Sequence, residues 1–339
     1  MSNNPTESRL GTVGGQAVLE GVMMKSKNDL AIAVRADNGT IRVKRKKLRL
    51  AKDRFKPAGW PIIRGVVNFV EMLMLSVTTL TESADMAITE QPSADGKKEG
   101  ASETFIASAI GIVLGLGLSF VLFFYLPVLS GSLVRKAVEN QVLISVTEGV
   151  TRLAIFVGYI SLTALMKDIR RTYQYHGAEH MSVFTHESGD ELTVENVRKY
   201  SRFHPRCGTS FMIIMFIIGV IISALIPLQI GDIVIGRALR TAIKLLLLPL
   251  IVGIGYEFIR FAGKHDNALV RAVSAPGMWI QRLTTRVPDD SQIEVAIASL
   301  KAALPEFYPI EEALTDEITE IQTTTAPDGG EAALSDGTQ

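Results

Sequence analysis

The sequence contains a single cysteine, Cys207, among 339 residues. One thiol cannot build an intramolecular disulfide framework, so we expect a reducing compartment rather than a disulfide-rich secreted domain. The first ten residues, MSNNPTESRL, hold no apolar run, and no cleavable signal peptide is expected. Lys and Arg are absent after Pro305, where the chain is acidic. The sequence also has no internal repeat, P-loop or dinucleotide fingerprint, which removes the common nucleotide-binding classes.

Hydrophobic and charged residues are separated into blocks. Hydrophobic residues make up 47% of the chain and charged residues 21%, with a formal net charge of zero. The mean hydropathy of +0.25 is high for so charged a sequence. This separation predicts a membrane protein with polar domains.

Four apolar segments are long enough to cross a bilayer, for which about 20 residues are needed. They are residues 104–129, 142–166, 211–228 and 238–261. We therefore predict a mainly α-helical membrane protein with about four transmembrane helices, a small N-terminal β-hairpin region and cytoplasmic helical segments.

The basic residues decide the predicted orientation. They concentrate in residues 42–56, in the loop 167–209 and in the segment 262–304, while the intervening loops carry few. Four spans place these three regions on one side, and an excess of Lys and Arg marks the cytoplasmic side. We expect a multi-pass membrane protein with both termini in the cytoplasm.

The predicted organisation follows from these spans. It comprises a cytoplasmic β-rich region (1–60), an amphipathic interfacial helix (61–88), a first transmembrane pair (104–166), a cytoplasmic His/Cys loop (167–209), a second transmembrane pair (210–261), a cytoplasmic C-terminal segment (262–304) and an acidic disordered tail (305–339).

Residues 61–80 are the ambiguous segment. Arg64, Asn68 and Glu71 recur at helical spacing and give an otherwise apolar helix one polar stripe. A fifth span here would put the basic residues 42–56 and the histidine loop on opposite sides, against the charge rule. An interfacial or re-entrant helix is therefore favoured.

Two short patterns predict local structure outside the spans. Asn38-Gly39 separates two alternating stretches, which is typical of a hairpin with both turn residues at positive φ. The earlier stretch GGQAVLEGVMMK is expected to join the same sheet. Near the C-terminus, Asp289 or Asp290 is expected to cap a helix through SQIEVAIASLKAAL.

The segment YHGAEH places His176 and His180 on one face of a helix, with Glu179 beside them. Imidazoles at i and i+4 can reach one metal ion, and a neighbouring carboxylate can serve as general base. The pattern H-x-x-E-H is that of the inverzincin metallopeptidases. Glu179 is accordingly the predicted catalytic base.

A second cluster, His204 and Cys207 in FHPRCG, returns to the same membrane face. Three imidazoles and a thiolate suit Zn²⁺, although another divalent metal fits the same set. Three ligands with an open position would make a catalytic centre, and four would make a structural one. The alternative is that the histidines bond loop carbonyls or lipid phosphates while Cys207 packs as a small apolar side chain.

Charged residues also occur inside the predicted spans. Glu148 and Arg152 are four residues apart, and Glu257 and Arg260 are three apart, so each pair is expected to neutralise itself within one helix. The alternative is a polar path through the bundle that includes Lys244.

Several motifs together resemble the YqhQ family of bacterial membrane proteins of unknown function. They are GGQAVLEGVMM, YHGAEH, HPRCGTSF, GYEFIR and APGMWIQRLTTRVPDDSQIEVAIASL, in order from Gly14 to about Leu304. The resemblance implies an integral protein of the bacterial inner membrane, of a family labelled a predicted metal-dependent enzyme. It places six residues in the suspected site: His176, Glu179, His180, His204, Arg206 and Cys207.

The function predicted from these observations is that of a metal-dependent hydrolase acting on a lipid or a membrane-proximal peptide. Two alternatives remain at this stage: a transporter or channel component using the intramembrane charges, and a non-catalytic membrane scaffold. The expected partners are membrane lipids and a protein recruited by the acidic tail; nucleic acid is not expected, and an oligomer is compatible with the sequence.

Overall fold

The computed structural model describes residues 9–48, 55–88, 101–138, 140–226, 233–262, 268–309 and 319–321. Within them the chain is mainly helical and carries one antiparallel sheet. The strands are β1 (Gly14–Val18), β2 (Gly21–Lys25), β3 (Asp29–Arg35), β4 (Ile41–Lys47) and β5 (Thr319–Ile321). The helices are α1 (Ile63–Ala87), α2 (Ala101–Phe120), α3 (Leu126–Arg135), α4 (Gln141–Thr163), α5 (Lys167–Ser188), α6 (Val194–Val197), α7 (Gly208–Leu225), α8 (Ile233–Leu246), α9 (Leu248–Ala262), α10 (Ala268–Thr284) and α11 (Asp290–Ala303), with a 3-10 turn at Lys56–Gly59 and a π-helical turn at Val121–Tyr125.

The predicted N-terminal sheet is confirmed, and its strands follow the order β1-β2-β3-β4-β5. Every neighbouring pair is antiparallel, with Ile32 opposite Met23 on one side and Lys44 on the other. Alternate residues of β3 enter different cores, because successive side chains of a strand point to opposite faces. Both faces of the sheet are therefore covered by helices.

The hairpin between β3 and β4 forms where Asn38-Gly39 predicted it, but its turn differs. Only Gly39 adopts a positive φ, of 87°, whereas Asn38 does not. The Gly39 N–H donates to the Ala36 carbonyl, and the Asn38 side chain accepts from the Thr40 N–H. The longer loop, closed between Ala36 and Thr40, needs only one left-handed residue, so the expected two-residue turn was wrong.

Helices α5 and α11 cover one face of the sheet. Their core joins Tyr175 and Ala178 of α5 to Ile293 and Leu300 of α11, above Ala31 and its neighbours in β3. The capping prediction is confirmed: the Asp289 side chain accepts from the Gln292 N–H, and the Gln292 side chain accepts from the Asp289 N–H. This reciprocal cap fixes the start of α11 next to α5.

Helix α1 covers the other face of the sheet. Its second half, from Met72 to Met86, packs against a core that includes Met23 and Ile32. Hydrogen bonds reinforce this contact, among them one from the Leu19 N–H to the Ser83 hydroxyl. The first half of α1 instead contacts α9, so α1 joins the sheet to the helical bundle.

Four helical segments are long and apolar enough to cross a membrane, and the bent pair α8–α9 raises the number to five if it counts as one span. Three of them overlap predicted spans, although Val113–Arg135 is shifted toward the C-terminus relative to the predicted 104–129, and the bent pair corresponds to the predicted segment 238–261. The other qualifying helix is α1, whose polar stripe faces α9: Arg64 pairs with Glu257, and the Asn68 amide donates to the Tyr256 hydroxyl. The four qualifying segments are Ile63–Ala87, Val113–Arg135, Gln141–Thr163 and Gly208–Leu225.

Part of the predicted acidic tail is ordered in the sheet. Thr319–Ile321 forms β5 on the edge of β4, where Arg42 pairs with Glu320 at 2.8 Å. Phe307 and Tyr308 also pack beside the core of α5 and α11. Residues 310–318 and 322–339 lie outside the described residues.

Candidate metal centre

Helix α5 carries the YHGAEH motif into the interior. The helix is polar in composition, yet nearly every residue from Tyr175 to Glu187 is buried or half-buried. Gly177 makes this possible, because a Cβ atom at that position would overlap the carbonyl oxygen of Arg286. The Arg286 N–H in turn donates to the Tyr173 carbonyl at 2.8 Å. The glycine therefore lets the chain after α10 run directly against α5.

The two predicted histidine ligands lie side by side, with ring centroids 4.4 Å apart. His176 Nδ1 lies 2.9 Å from the Thr284 carbonyl oxygen, and His180 Nδ1 lies 2.6 Å from that of Arg202. A carbonyl oxygen can only accept, so each Nδ1 carries a proton and donates it. In a ring with this tautomer, the lone pair available to a metal ion lies on Nε2. Metal-binding histidines commonly have this arrangement, in which the outer nitrogen is held by a backbone carbonyl.

Cys207 completes a group of three potential ligands. Its Sγ lies 3.3 Å from His176 Nε2, and the potential ligand atoms of His176, His180 and Cys207 all lie within 4.8 Å of one another. Ligands of a tetrahedral zinc ion stand about 3.5 Å apart, given bonds of about 2.0 to 2.3 Å. The 3.3 Å between Cys207 Sγ and His176 Nε2 is close to this value, whereas the 4.8 Å limit exceeds it, so a small adjustment of the side chains would bring the three atoms around one ion. Cys207 is half-buried and occupies the N-cap position of α7, at the end of a candidate span.

Glu179 lies beside this group rather than in solvent. It is 5% exposed, and its Oε2 is 3.4 Å from His180 Nε2. Burial raises the pKa of Glu179, against the opposing effects of nearby His176 and His204 and of a hydrogen bond from the Gly15 N–H. A raised pKa suits a carboxylate that accepts and returns a proton near neutral pH.

His204 is close to the cluster but oriented differently. Its ring centroid lies 5.6 Å from that of His180. His204 Nδ1 accepts from the Arg206 N–H at 3.3 Å, which directs Nε2 to Glu187 at 3.6 Å. The structure thus brings three of the four predicted ligands together and turns the imidazole of His204 toward a carboxylate. Burial lowers the pKa of His204, with a smaller opposing effect from Glu187.

Glu187 anchors the neighbouring loop and the N-terminal segment. It pairs with Arg206, which the family resemblance had placed in the site, and accepts from the Gly11 N–H at 2.9 Å. Burial alone would raise the pKa of Glu187, but hydrogen bonds from His204 and Gly11 and the charge of Arg206 lower it. Arg206 therefore positions the loop through Glu187 in this structure.

Gln281 of α10 is a positioning residue that sequence reasoning missed. Its side chain is fully buried and accepts from the His204 N–H at 2.7 Å while donating to the His204 carbonyl at 2.8 Å. Gln281 holds His204, and the Thr284 carbonyl holds His176. Helix α10 therefore supports both the His176/His180 pair and the loop that contains His204 and Cys207. The only signal in the sequence was that Gln281 lies in one of the motifs that carry the family resemblance, a motif to which no role had been assigned.

The intramembrane charges have partners other than those predicted. Glu148 pairs with Lys244 and, at 3.4 Å, with Arg240, while Arg152 Nε donates to the Phe123 carbonyl. Glu257 pairs with Arg64 of α1. Glu148 and Arg152 still attract each other, and so do Glu257 and Arg260, but the nearest charged partner of each carboxylate comes from another helix.

Comparison with known proteins gives a relationship over most of the chain. Residues 60–306 match the family model described as "Protein of unknown function (DUF1385)". The chain is 31% identical over 303 residues to the "Uncharacterized protein YqhQ" of Bacillus subtilis (strain 168), covering 86% of this chain and 92% of that protein. No solved structure matches. The matched region includes α5, Cys207 and Gln281, so every residue of the cluster lies within it.

Proposed function

The chain belongs to the DUF1385 family of proteins of unknown function, so we propose its role from the site itself. We propose that it is a multi-pass inner-membrane protein that binds a divalent metal ion, preferably zinc, on its cytoplasmic face. One observation carries the proposal. Two imidazoles are each held at Nδ1 by a backbone carbonyl, and one potential ligand atom of each ring lies within 4.8 Å of the other and of the thiol of Cys207.

The membrane part of the proposal rests on exposed apolar helices. Val113, Leu114 and Leu116 of α2 are each at least 67% exposed, which would be costly in water and favourable in lipid. The basic strand β4 and the helices α5 and α11 lie together at one end of the bundle. From the excess of Lys and Arg there, we infer that this end and both termini face the cytoplasm.

The ligand chemistry favours zinc. A thiolate with two imidazoles is a soft, nitrogen- and sulfur-rich set, which suits Zn²⁺ better than Mg²⁺ or Ca²⁺. Each ligand is also held from behind: His176 by α10, His180 by the Arg202 carbonyl, and Cys207 by the start of α7. Ligands held in this way need little rearrangement to bind an ion.

The finer proposal is a hydrolase acting on a lipid head group or a membrane-proximal peptide. When bound, such an ion supplies Lewis acidity toward a carbonyl or phosphoryl oxygen. Three protein ligands leave one position open, and Glu179, buried beside His180, can take up and return a proton there. The position of Cys207 at the end of a candidate span gives the site access to molecules at the membrane surface.

Metal analysis of the protein purified in a mild nonionic detergent tests the site. We expect about one zinc ion per wild-type chain and little zinc in the double variant His176→Ala/His180→Ala. His186→Ala is the matched control, because it removes a fully buried histidine from the same helix without touching the cluster. Equal, substoichiometric metal in all three proteins would contradict the proposal.

The hydrolase proposal needs a separate readout. We expect Glu179→Gln to retain zinc while losing at least about 100-fold of any hydrolytic turnover, the usual contribution of a positioned acid–base group. Liposomes made from the membrane lipids of the host, analysed for released head groups, are the substrate to try first. If zinc-loaded wild-type protein releases neither head groups nor peptide fragments, the hydrolase proposal is wrong and the metal-site proposal is unaffected.

A further inference from the structure

A cluster of buried charges lies in the helical bundle, far along α4 from the metal centre. Glu148 is 2% exposed, and Arg240 and Lys244 of α8 are 7% and 9% exposed. Glu148 contacts both cations and also accepts from the Ser223 hydroxyl at 3.1 Å. Gly131 of α3 makes room for this carboxylate, since a Cβ atom there would lie 2.7 Å from Glu148 Cγ.

Arg152 is a third cation, one helical turn along from Glu148. Its Nε donates to the Phe123 carbonyl at 2.9 Å. That carbonyl would normally accept from the residue four positions later, which is Pro127 and has no N–H. The π-helical turn at Val121–Tyr125 lies at the same place. A proline and a π-turn thus turn a backbone carbonyl toward Arg152, and π-turns are frequent at functional sites.

The charges of this cluster do not balance. One carboxylate, Glu148, faces three cations, so two positive charges lack a counterion among the described residues. Nε and NH2 of Arg240 are buried and have no hydrogen-bond partner within the same part of the chain. Buried charges are normally paired, because desolvation of an unpaired ion is costly. A bound anion would supply the missing negative charge.

A cavity adjoins these cations. Its volume is about 180 Å³, and Arg152, Lys244 and Ser223 contribute its polar wall. Phe123, Phe124 and Phe216 are among the residues that form its apolar wall. A cavity of about 150 Å³ accommodates a benzene-sized group. This one therefore has room for a small head group or for the first carbons of an acyl chain.

We propose that this cavity binds the anionic end of an amphiphile, a carboxylate or phosphate on an alkyl or acyl chain. The anion contacts Arg152, Lys244 and the Ser223 hydroxyl, and the chain lies against the aromatic wall. The shape of the site supports this assignment: cations and a hydroxyl at one wall and aromatic rings at the other match a charged group with an apolar tail. The site is independent of the metal centre and of any hydrolysis there.

Ligand-dependent thermal unfolding in nonionic detergent tests the assignment. We expect dodecyl phosphate or laurate, each at about 100 times its Kd, to raise the Tm of the wild-type protein by about 5 °C. Dodecanol, which has the same chain without the charge, should produce no comparable rise. A larger shift with dodecyl phosphate identifies a phosphate head group, and a larger shift with laurate identifies a carboxylate.

Two kinds of variant locate the binding. Arg152→Gln removes a cation of the site, and exposed Lys136 supplies its control as Lys136→Gln. Gly219→Leu fills the cavity while keeping every charge, and its control is Gly158→Leu, where a Cβ atom meets nothing within 4 Å. We expect the first variant of each pair to lose the shift and both controls to keep it.

Three results would overturn the proposal. One is a shift with dodecanol as large as with the anionic amphiphiles, and another is a shift that survives both Arg152→Gln and Gly219→Leu. The third is an equal shift with inorganic phosphate alone, which would show that the apolar wall contributes nothing. Should Arg152→Gln fail to fold, the comparison of Gly219→Leu with Gly158→Leu still decides the question.

Discussion

The Nε2 atom of His176 lies 3.3 Å from the Sγ atom of Cys207, although the two residues belong to different helices. Helix α5 supplies the imidazole and the first turn of α7 supplies the thiol. Without a metal ion, the Cys207 thiol can donate a hydrogen bond to the lone pair of His176 Nε2. With an ion, both atoms become ligands, and the chemical state of Cys207 reports which situation holds.

Cys207 is therefore expected to react with thiol reagents only after the metal has been removed. The chain has no other cysteine, so alkylation followed by mass measurement counts this thiol alone. We predict slow alkylation of the zinc-loaded protein and at least about tenfold faster alkylation after treatment with a chelator, because a thiolate bound to zinc is a poorer nucleophile than a free one. Equal rates before and after chelation, in protein shown to hold zinc before the treatment and to lose it afterwards, would remove Cys207 from the ligand set.

Gly177→Ala is expected to destabilise the protein and weaken metal binding. The added methyl group would overlap the Arg286 carbonyl, and moving that segment displaces the Thr284 carbonyl that orients His176. Overpacking of this kind costs about 1 to 3 kcal/mol. Thermal unfolding and zinc content are the measurements. Gly158→Ala, at an exposed helical position, should be neutral or slightly stabilising; similar behaviour of the two variants would refute the close contact.

Gln281→Leu should destabilise the fold, because it leaves the buried His204 N–H without a partner and leaves the Cys207 N–H as the remaining donor to the His204 carbonyl. Each unsatisfied group costs about 1 to 3 kcal/mol. The loop that begins at Arg202 also holds His180 through its carbonyl, so zinc affinity should fall with stability. Competition with a chromophoric chelator measures that affinity. An unchanged affinity would mean that α10 does not position the loop.

The stability of the region formed by the sheet, α5 and α11 should depend on the protonation of His186. Burial and the nearby charge of Arg9 lower the pKa of His186 to about 4. The unfolded chain, with a histidine pKa of about 6.5, binds this proton more tightly, so unfolding takes up a proton between these values. The contribution of His186 to the free energy of unfolding is complete above about pH 6.5 and is lost as the pH falls toward 4.

We expect this group to contribute up to about 1.4 kcal/mol per pH unit to the slope of the unfolding free energy in that interval. Thermal unfolding between pH 4 and 7.5 measures the slope. His186→Asn, which keeps a side chain able to bond Thr12 or Tyr308, should flatten it. Identical slopes for both proteins would contradict the shifted pKa of His186.

Much of the fold could be predicted from local sequence. Gly39 marked the hairpin, Asp289 marked the start of α11, and the apolar runs marked three of the candidate spans, because turns, caps and spans depend on neighbouring residues. The exact turn was missed. One left-handed residue sufficed once the loop was closed at Ala36 and Thr40.

The candidate site was predictable only in its side chains. His176 and His180 share a helix face whatever else the chain does, and Cys207 had to return to the same end of the bundle. The carbonyls of Thr284 and Arg202 could not be foreseen, since a backbone acceptor has no residue type. The partners of Glu148 could not be foreseen for a different reason: Arg240 and Lys244 belong to a helix that is distant in the sequence.

X-ray absorption at the zinc edge of the purified, zinc-loaded protein identifies the atoms that bind the ion. We expect one sulfur ligand at about 2.3 Å together with nitrogen ligands at about 2.0 to 2.1 Å, and the loss of the sulfur signal in Cys207→Ser. Spectra that fit nitrogen and oxygen alone in the wild-type protein, or a sulfur signal that persists in Cys207→Ser, would contradict a metal centre built from His176, His180 and Cys207.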